Sequence, residues 1–243
     1  MNPPESPTSP LCIDAGERAV LVPGTTRWQP TSDCGVERMI LDPGGEPLGK
    51  TTGFLRLAAG ARIDGRERAG GAEILVLAGE LCDERGRHRA GTYLRYAPGA
   101  CHPQHSVSGC TLFVKLRQFS PGDLASQMVD TRRMRWLRGR SEQASVLPLH
   151  DFGGERTCLV HWRGHTGGAP VRYPRGAETL VLAGQFADEH GHYSPGSWLR
   201  LPGGCWHRPR AGRRGVLAWV KTGHLAASAL VAGPERQAAE AAA

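Results

Sequence analysis

GAEILVLAGELCDERGRHRAGTYLRYAPGACH, from Gly71 to His102, recurs without a gap as GAETLVLAGQFADEHGHYSPGSWLRLPGGCWH, from Gly176 to His207, with 16 of 32 positions identical. Self-similarity of this extent in one chain is the mark of an internal duplication. The match continues outward on both sides. LFVKL (Leu112 to Leu116) answers LAWVK (Leu217 to Lys221), and DPGGE (Asp42 to Glu46) answers DFGGE (Asp151 to Glu155). The chain of 243 residues is thereby divided into a tail over 1–24, a first repeat over 25–120, a connector over 121–135, a second repeat over 136–225 and a C-terminal tail over 226–243. Trp28 to Phe119 and Trp136 to Leu225 bound the two copies.

Within each copy, short apolar or alternating runs such as EILVLAGEL, TYLRYA and CTLFVKL stand between turns built on Gly, Pro and Asp. That pattern predicts many short strands in a sandwich or barrel. DERGR (Asp83 to Arg87) and DEHGH (Asp188 to His192) place an acidic pair and a glycine where a tight hairpin needs positive φ, at Gly86 and Gly191. No long segment of helical period precedes the Ala-rich end, so the expected class is all-β.

The formal net charge of +7 rests on arginine, because Lys50, Lys115 and Lys221 are the only lysines. The dense cluster Arg132, Arg133, Arg135, Arg138 and Arg140, interrupted by Trp136, falls between the copies and reads as a solvated connector, with no recognition element for nucleic acid beside it. Seven cysteines are an odd number and no pair has Cys-x-x-Cys spacing, so they read as reduced, mostly core thiols. The start, MNPPESPTSP, has neither a basic nor an apolar leader region, and no apolar run is long enough to span a bilayer. A cytoplasmic protein without membrane association is the expectation.

The order G-x5-P-x-G-x2-H, present as Gly196, Pro202, Gly204 and His207, resembles the second conserved motif of the cupins. The first copy has Gly91, Gly99 and His102, with Ala97 for the proline. The wider wording LVLAG, DE, G, LR, His and a closing VK strand is similar to the cupin domain of the ChrR anti-sigma factors. The resemblance covers both copies and implies a tandem cupin, or bicupin: two jelly-roll barrels, each a double-stranded β-helix. The zinc-binding helical domain of ChrR-type anti-sigma factors has no counterpart ahead of the first repeat.

Metal-binding cupins carry a first motif whose two His and one Glu join the later His around the ion. In the first copy that register falls on Arg66, Arg68 and Ala72 between Gly60 and Gly79, and in the second on Val171, Tyr173 and Ala177 before Gly184. Each copy keeps one ligand-type residue, His102 or His207, and one imidazole does not hold a divalent ion. Glu73 and Glu178 lie one residue past the glutamate position, and on a strand that shift turns a side chain to the opposite face. No cofactor is expected. The alternative is Zn, Fe or another divalent metal at a non-standard site using His161 or His165 with His207.

Three function classes stand: a small-molecule-binding or sensory and regulatory protein without metal catalysis, a metal-dependent dioxygenase-type cupin, and a scaffold subunit of a cupin assembly. The emptied ligand positions weigh against the enzyme. The candidate ligand-binding residues are Arg66, Arg68, His102, Tyr173 and His207, and no catalytic residue is assigned. Arg66 and Arg68, two apart on one strand, point to an anionic guest in the first barrel, while Val171 and Tyr173 point to a more apolar guest in the second. Association as a homodimer is implied by the resemblance.

Overall fold

The computed structural model describes residues 17–42, 49–65, 70–99, 102–139, 141–165, 167 and 170–225, and across them every named element is a strand. No helix there is long and apolar enough to cross a membrane. The first main sheet contains β2 (Gln29–Pro30), β3 (Val36–Asp42), β4 (Thr51–Leu57), β6 (Ala72–Asp83), β8 (Thr92–Tyr96), β10 (Cys110–Leu116) and β11 (Gln127–Asp130), in the order β11-β8-β6-β10-β4-β3-β2. The second contains β1 (Ala19–Leu21), β12 (Leu137–Arg138), β13 (Ala144–Phe152), β14 (Glu155–Trp162), β16 (Ala177–Asp188), β18 (Trp198–Leu201) and β20 (Arg210–Thr222), in the order β1-β18-β16-β20-β14-β13-β12. The orders are the same strand for strand, as the duplication requires, and the class is an all-β tandem barrel.

The first strand of each copy crosses to the other. Ala19–Leu21, ahead of the boundary at 25, pairs antiparallel with Trp198–Leu201, with Ala19 opposite Arg200. Gln127–Asp130, within 121–135, pairs in the same way with Thr92–Tyr96, with Gln127 opposite Arg95. Arg95 and Arg200 are duplicates, so the two crossings are equivalent. Each sheet borrows its edge strand from the other copy.

Strands β6 and β16 explain why so much of the chain is buried on both faces. Ala72, Ile74 and Val76 project into the first barrel's core, together with Leu57, Leu94, Tyr96, Leu112 and Val114. The alternate residue Leu75 joins Phe54, Tyr93 and Phe113 in a second cluster, where they meet Leu147, Leu159, Leu180, Trp198 and Trp219 of the other copy. Phe113 lies edge-on against Trp219 at 4.9 Å between centroids. The apolar layer between the barrels is therefore as much a core as the barrel interiors.

The hairpin turns are held by their aspartates. Asp83 accepts from the Arg85 amide and binds His88 Nε2 at 2.7 Å, and Asp188 accepts from the His190 amide and from the Tyr193 hydroxyl at 2.8 Å. Gly86 takes φ 123, as expected, whereas Gly191 is not among the glycines of positive φ. At that turn the expectation is corrected: the Asp188 carboxylate, which binds the Gly191 amide as well, closes the turn without a left-handed glycine.

Candidate functional site

The strand alternation places two acids and two bases of the repeats, Glu73, Glu178, Lys115 and Lys221, between the barrels. Glu73 and Glu178 are 3% and 1% exposed, and the lysines that reach them belong to the opposite copy. Lys221 Nζ lies 2.9 Å from Glu73, and Lys115 Nζ lies 2.6 Å from Glu178. Glu73 also accepts from the Tyr93 hydroxyl and from Arg95, whose other nitrogen reaches Asp123. Asp123 in turn holds His150 at 2.8 Å. On the duplicate side Glu178 takes His224 Nε2 at 2.8 Å, while Arg200 turns to Asp42. His224 thus completes the network on the second copy's side.

These contacts set the charge states. Burial pushes the Glu73 carboxyl up, but Lys221 and Arg95 more than offset it and hold the group at about 2. Glu178 is likewise held well below its ordinary range, against its burial, by Lys115 and His224. Burial pushes His224 down, with Glu178 pulling the other way. Fixed, mutually neutralised charges of this kind join the two copies, with Glu73, Glu178, Lys115 and Lys221 all buried.

A space able to take a ligand lies elsewhere, inside the second barrel. It is a cavity of about 720 Å³ walled by Val146, Cys158, Val160, Trp162, Val171 and Tyr173, with further residues at its ends. Arg156, Cys158, Val160 and Trp162 alternate along β14, which puts them on its inner face, while Leu159 points to the layer between barrels. Burial raises the Cys158 thiol to about 11, so it lines the wall as a neutral group. A volume of this size is ordinary for a small-molecule site.

The two barrels differ in some of the side chains they turn inward. Leu112 stands opposite Leu55 and Val76 in the first barrel, and Ala218 stands opposite Val160 and Val181 in the second. By the same correspondence Ile74 is replaced by Thr179 and Tyr96 by Leu201. Leu55, Ile74, Tyr96 and Leu112 are matched by smaller residues in the second copy, Val76 by an identical Val181, and Leu57 and Leu81 by the larger Trp162 and Phe186. Among the described residues the first barrel's interior carries its own largely aliphatic cluster.

Of the residues singled out in the sequence, Arg66 and Arg68 lie outside the described residues. His102 binds Glu84 through Nδ1 and packs against Tyr96 at 4.9 Å between centroids, and its Nε2 is buried with no hydrogen-bond partner among the described residues. Tyr173 and His207 are brought within 6.4 Å of each other but front different spaces. Tyr173 lines the apolar cavity, and His207 lines a groove of about 750 Å³ beyond the two-stranded ribbon of β15 (Val171–Arg172) and β19 (Trp206–His207). His207 Nε2 is tied to Asp188 at 3.1 Å, and burial lowers its basicity against the pull of that carboxylate.

The residues present do not fit a divalent cation. The register positions in the second barrel carry an aliphatic side chain, a phenol and a methyl group, and among the described residues no three His, Cys, Asp or Glu side chains are grouped as a site would need. The free thiols Cys34, Cys82, Cys110, Cys158 and Cys205 are dispersed, with Cys82 and Cys110 buried. In the basic cluster Arg132 and Arg133 reach Asp130 and Arg138 reaches Glu142 on the surface.

A family model for the ChrR cupin-like domain matches residues 16–120 and again 124–226. Both matches start ahead of a crossing strand, so each family unit includes the strand that it lends to the other. The chain is similar in fold to a candidate dioxygenase from Nostoc punctiforme, with a TM-score of 0.72 at 14% identity over 86% of this chain and 83% of that one. It is similar to protein YlbA from E. coli, with a TM-score of 0.69 at 14% identity over 88% of this chain and 94% of the other. A mutant of Bacillus subtilis oxalate decarboxylase gives a TM-score of 0.62 at 12% identity over 90% and 79%. At these identities the likeness is one of fold. No curated protein matches the sequence at a significant level.

Proposed function

The chain belongs to the ChrR cupin-like domain family, and from that premise we propose that it is a small-molecule-binding two-barrel cupin with a sensory or regulatory output and no metal catalysis. The observation that carries this reading is the second barrel's interior. Where metal cupins of this fold present donors, Val171 and Tyr173 form part of the wall of a 720 Å³ cavity, and Ala177 is buried beneath them. An apolar chamber of that kind favours a guest by removing its hydrocarbon surface from water, not by Lewis acidity. The first barrel, through the layer between barrels and the exchanged edge strands, holds the second in shape.

The test is metal analysis of untagged protein purified without added metal. Iron, zinc, nickel and manganese well below one equivalent are expected. One equivalent of any of them, removable only with loss of the folded state, overturns the reading.

A further inference from the structure

We propose that the guest of the second barrel is a monocarboxylic acid with an apolar body, its hydrocarbon in the cavity and its carboxylate at a mouth formed by Arg156 and Arg175; this rests on the ligand-binding reading above. Arg156 is the first inward-facing residue of β14, and its cross-strand neighbour on β20 is Thr222, which also lines the cavity. Arg175 reaches the same end: its Nη1 lies 3.2 Å from the Gly153 carbonyl, and Gly154 and Gly223 form the adjoining rim. Two guanidiniums and a hydroxyl therefore border one end of a chamber whose middle is Val146, Cys158, Val160 and Val220.

Charge complementarity decides the class of guest. None of the described residues lining the cavity is acidic, while arginine contributes three of them. The carboxylate paired with Arg156 among the described residues is Asp151, 2.7 Å from Arg156 Nε, and both side chains of that pair are mostly exposed, at 59% and 71%. An exposed pair of this kind adds little to stability and gives way readily to a competitor. A guest carboxylate anchored by burial of its apolar body is such a competitor, and guanidinium accepts it in bidentate, charge-assisted geometry. Asp151 then acts as an internal rival of the ligand for Arg156.

Calorimetric titration of the full chain with octanoate and with 1-octanol, which share the hydrocarbon and differ at the head, tests the inference. Octanoate should bind about tenfold more tightly than 1-octanol, roughly the worth of one charge-assisted hydrogen bond. The double variant Arg156→Gln/Arg175→Gln should bring octanoate down to the level of 1-octanol and leave 1-octanol unchanged. Asp151→Asn should strengthen octanoate severalfold. Val160→Trp should abolish binding of both, with Val146→Phe as the second filling variant if the first melts early. Equal affinities for acid and alcohol overturn the carboxylate assignment and leave the apolar chamber standing. Binding of neither overturns both, and octanoate binding that survives both filling variants puts the guest elsewhere.

Discussion

The carboxylate of Glu73 and the ammonium of Lys221 meet at 2.9 Å with both side chains almost wholly buried, although the two residues come from different copies of the duplication. Their duplicates, Glu178 and Lys115, meet at 2.6 Å in the reverse sense. The pairing is reciprocal because each lysine ends the strand next to its own copy's glutamate strand and projects across the interface. Breaking such a pair leaves a buried charge short of a partner, Glu73 keeping Arg95 and Lys221 keeping Glu155 at 3.5 Å. Glu73→Gln and Lys221→Met are each expected to lower the unfolding free energy by about 3–5 kcal/mol, and the double change to cost less than the sum. Urea unfolding measures this, and single losses under about 1 kcal/mol would contradict it.

Acid should act on the same layer. Glu73 titrates at about 2 in the folded chain against an ordinary 4.5, so the unfolded state takes up the proton first. Its stabilisation is complete above pH 4.5, falls as the pH drops toward 2, and amounts to about 3 kcal/mol in all. Glu178 is depressed in the same direction and adds to the effect. His207 and His224 also have lowered folded values, so a shallower loss begins below their ordinary 6.5. Melting temperature against pH should show a gentle decline below 6.5 and a steep one below 4.5 that Glu73→Gln removes in part. A flat profile between pH 7 and 3 would exclude this.

Gly79 and Gly184, which end the first-motif register in the two copies, share φ +70, and a Cβ on either would stand 2.1 Å from a carbonyl oxygen, that of Gly109 or Gly215. Backbone cannot withdraw as a flexible side chain can. Gly79→Ala and Gly184→Ala should each cost about 2 kcal/mol or more. Gly60 has φ +78 and open space around it, so Gly60→Ala should cost only the backbone term, about 1 kcal/mol. Thermal unfolding of the three variants checks the ranking.

Much of this architecture was legible before any coordinates. Period-two alternation along GAEILVLAG determines that Ala72 and Glu73 face opposite ways, and the ungapped duplicate requires the same of Ala177 and Glu178. The destination of the outward glutamates was harder to read, because a barrel exterior is ordinarily solvated. A signal existed: two of the chain's three lysines, Lys115 and Lys221, occupy equivalent places at the ends of apolar strands. The exchange of β1 and β11 had no such signal. A strand of three or four residues carries too little pattern to reveal its partner, and partnership between distant segments is decided by tertiary packing.

The candidate site divides in the same manner. Sequence register identified Val171 and Tyr173 as wall residues, but a ligand-motif comparison considers only four positions. The cavity depends on what else surrounds them, Val146 of β13, Cys158 and Val160 of β14 and Val220 of β20. Arg156 and Arg175 belong to no motif and become neighbours only when β14 and the segment after β15 meet at one end of the barrel. His207, a candidate beside Tyr173 in the sequence, stands opposite Val171 in the ribbon and lies edge-on to the buried Phe186 ring.

That ribbon's histidine is coupled to the borrowed edge strand. Arg18, one residue ahead of β1, donates to Asp188 and to the Tyr193 hydroxyl, and the same Asp188 oxygen that accepts from Arg18 binds His207. Burial is the chief cause of the low basicity of His207, Asp188 opposes it, and Arg18 adds a smaller downward push. Replacing the guanidinium by a neutral amide should therefore raise the His207 titration point, and ring-nitrogen NMR across pH 4 to 8 on Arg18→Gln would register it. Removing residues 1–24 should do more. It deletes β1 from the edge of the second sheet, leaves β18 with unpaired backbone groups, and should cost about 2 kcal/mol or more from the lost hydrogen bonds alone. The loss should fall on the second barrel, so hydrogen exchange should accelerate in β18 and β16 while β8 and β6, whose edge strand is β11, keep their protection. Uniform acceleration across both sheets would mean that the exchanged strands secure the whole interface and not one barrel each.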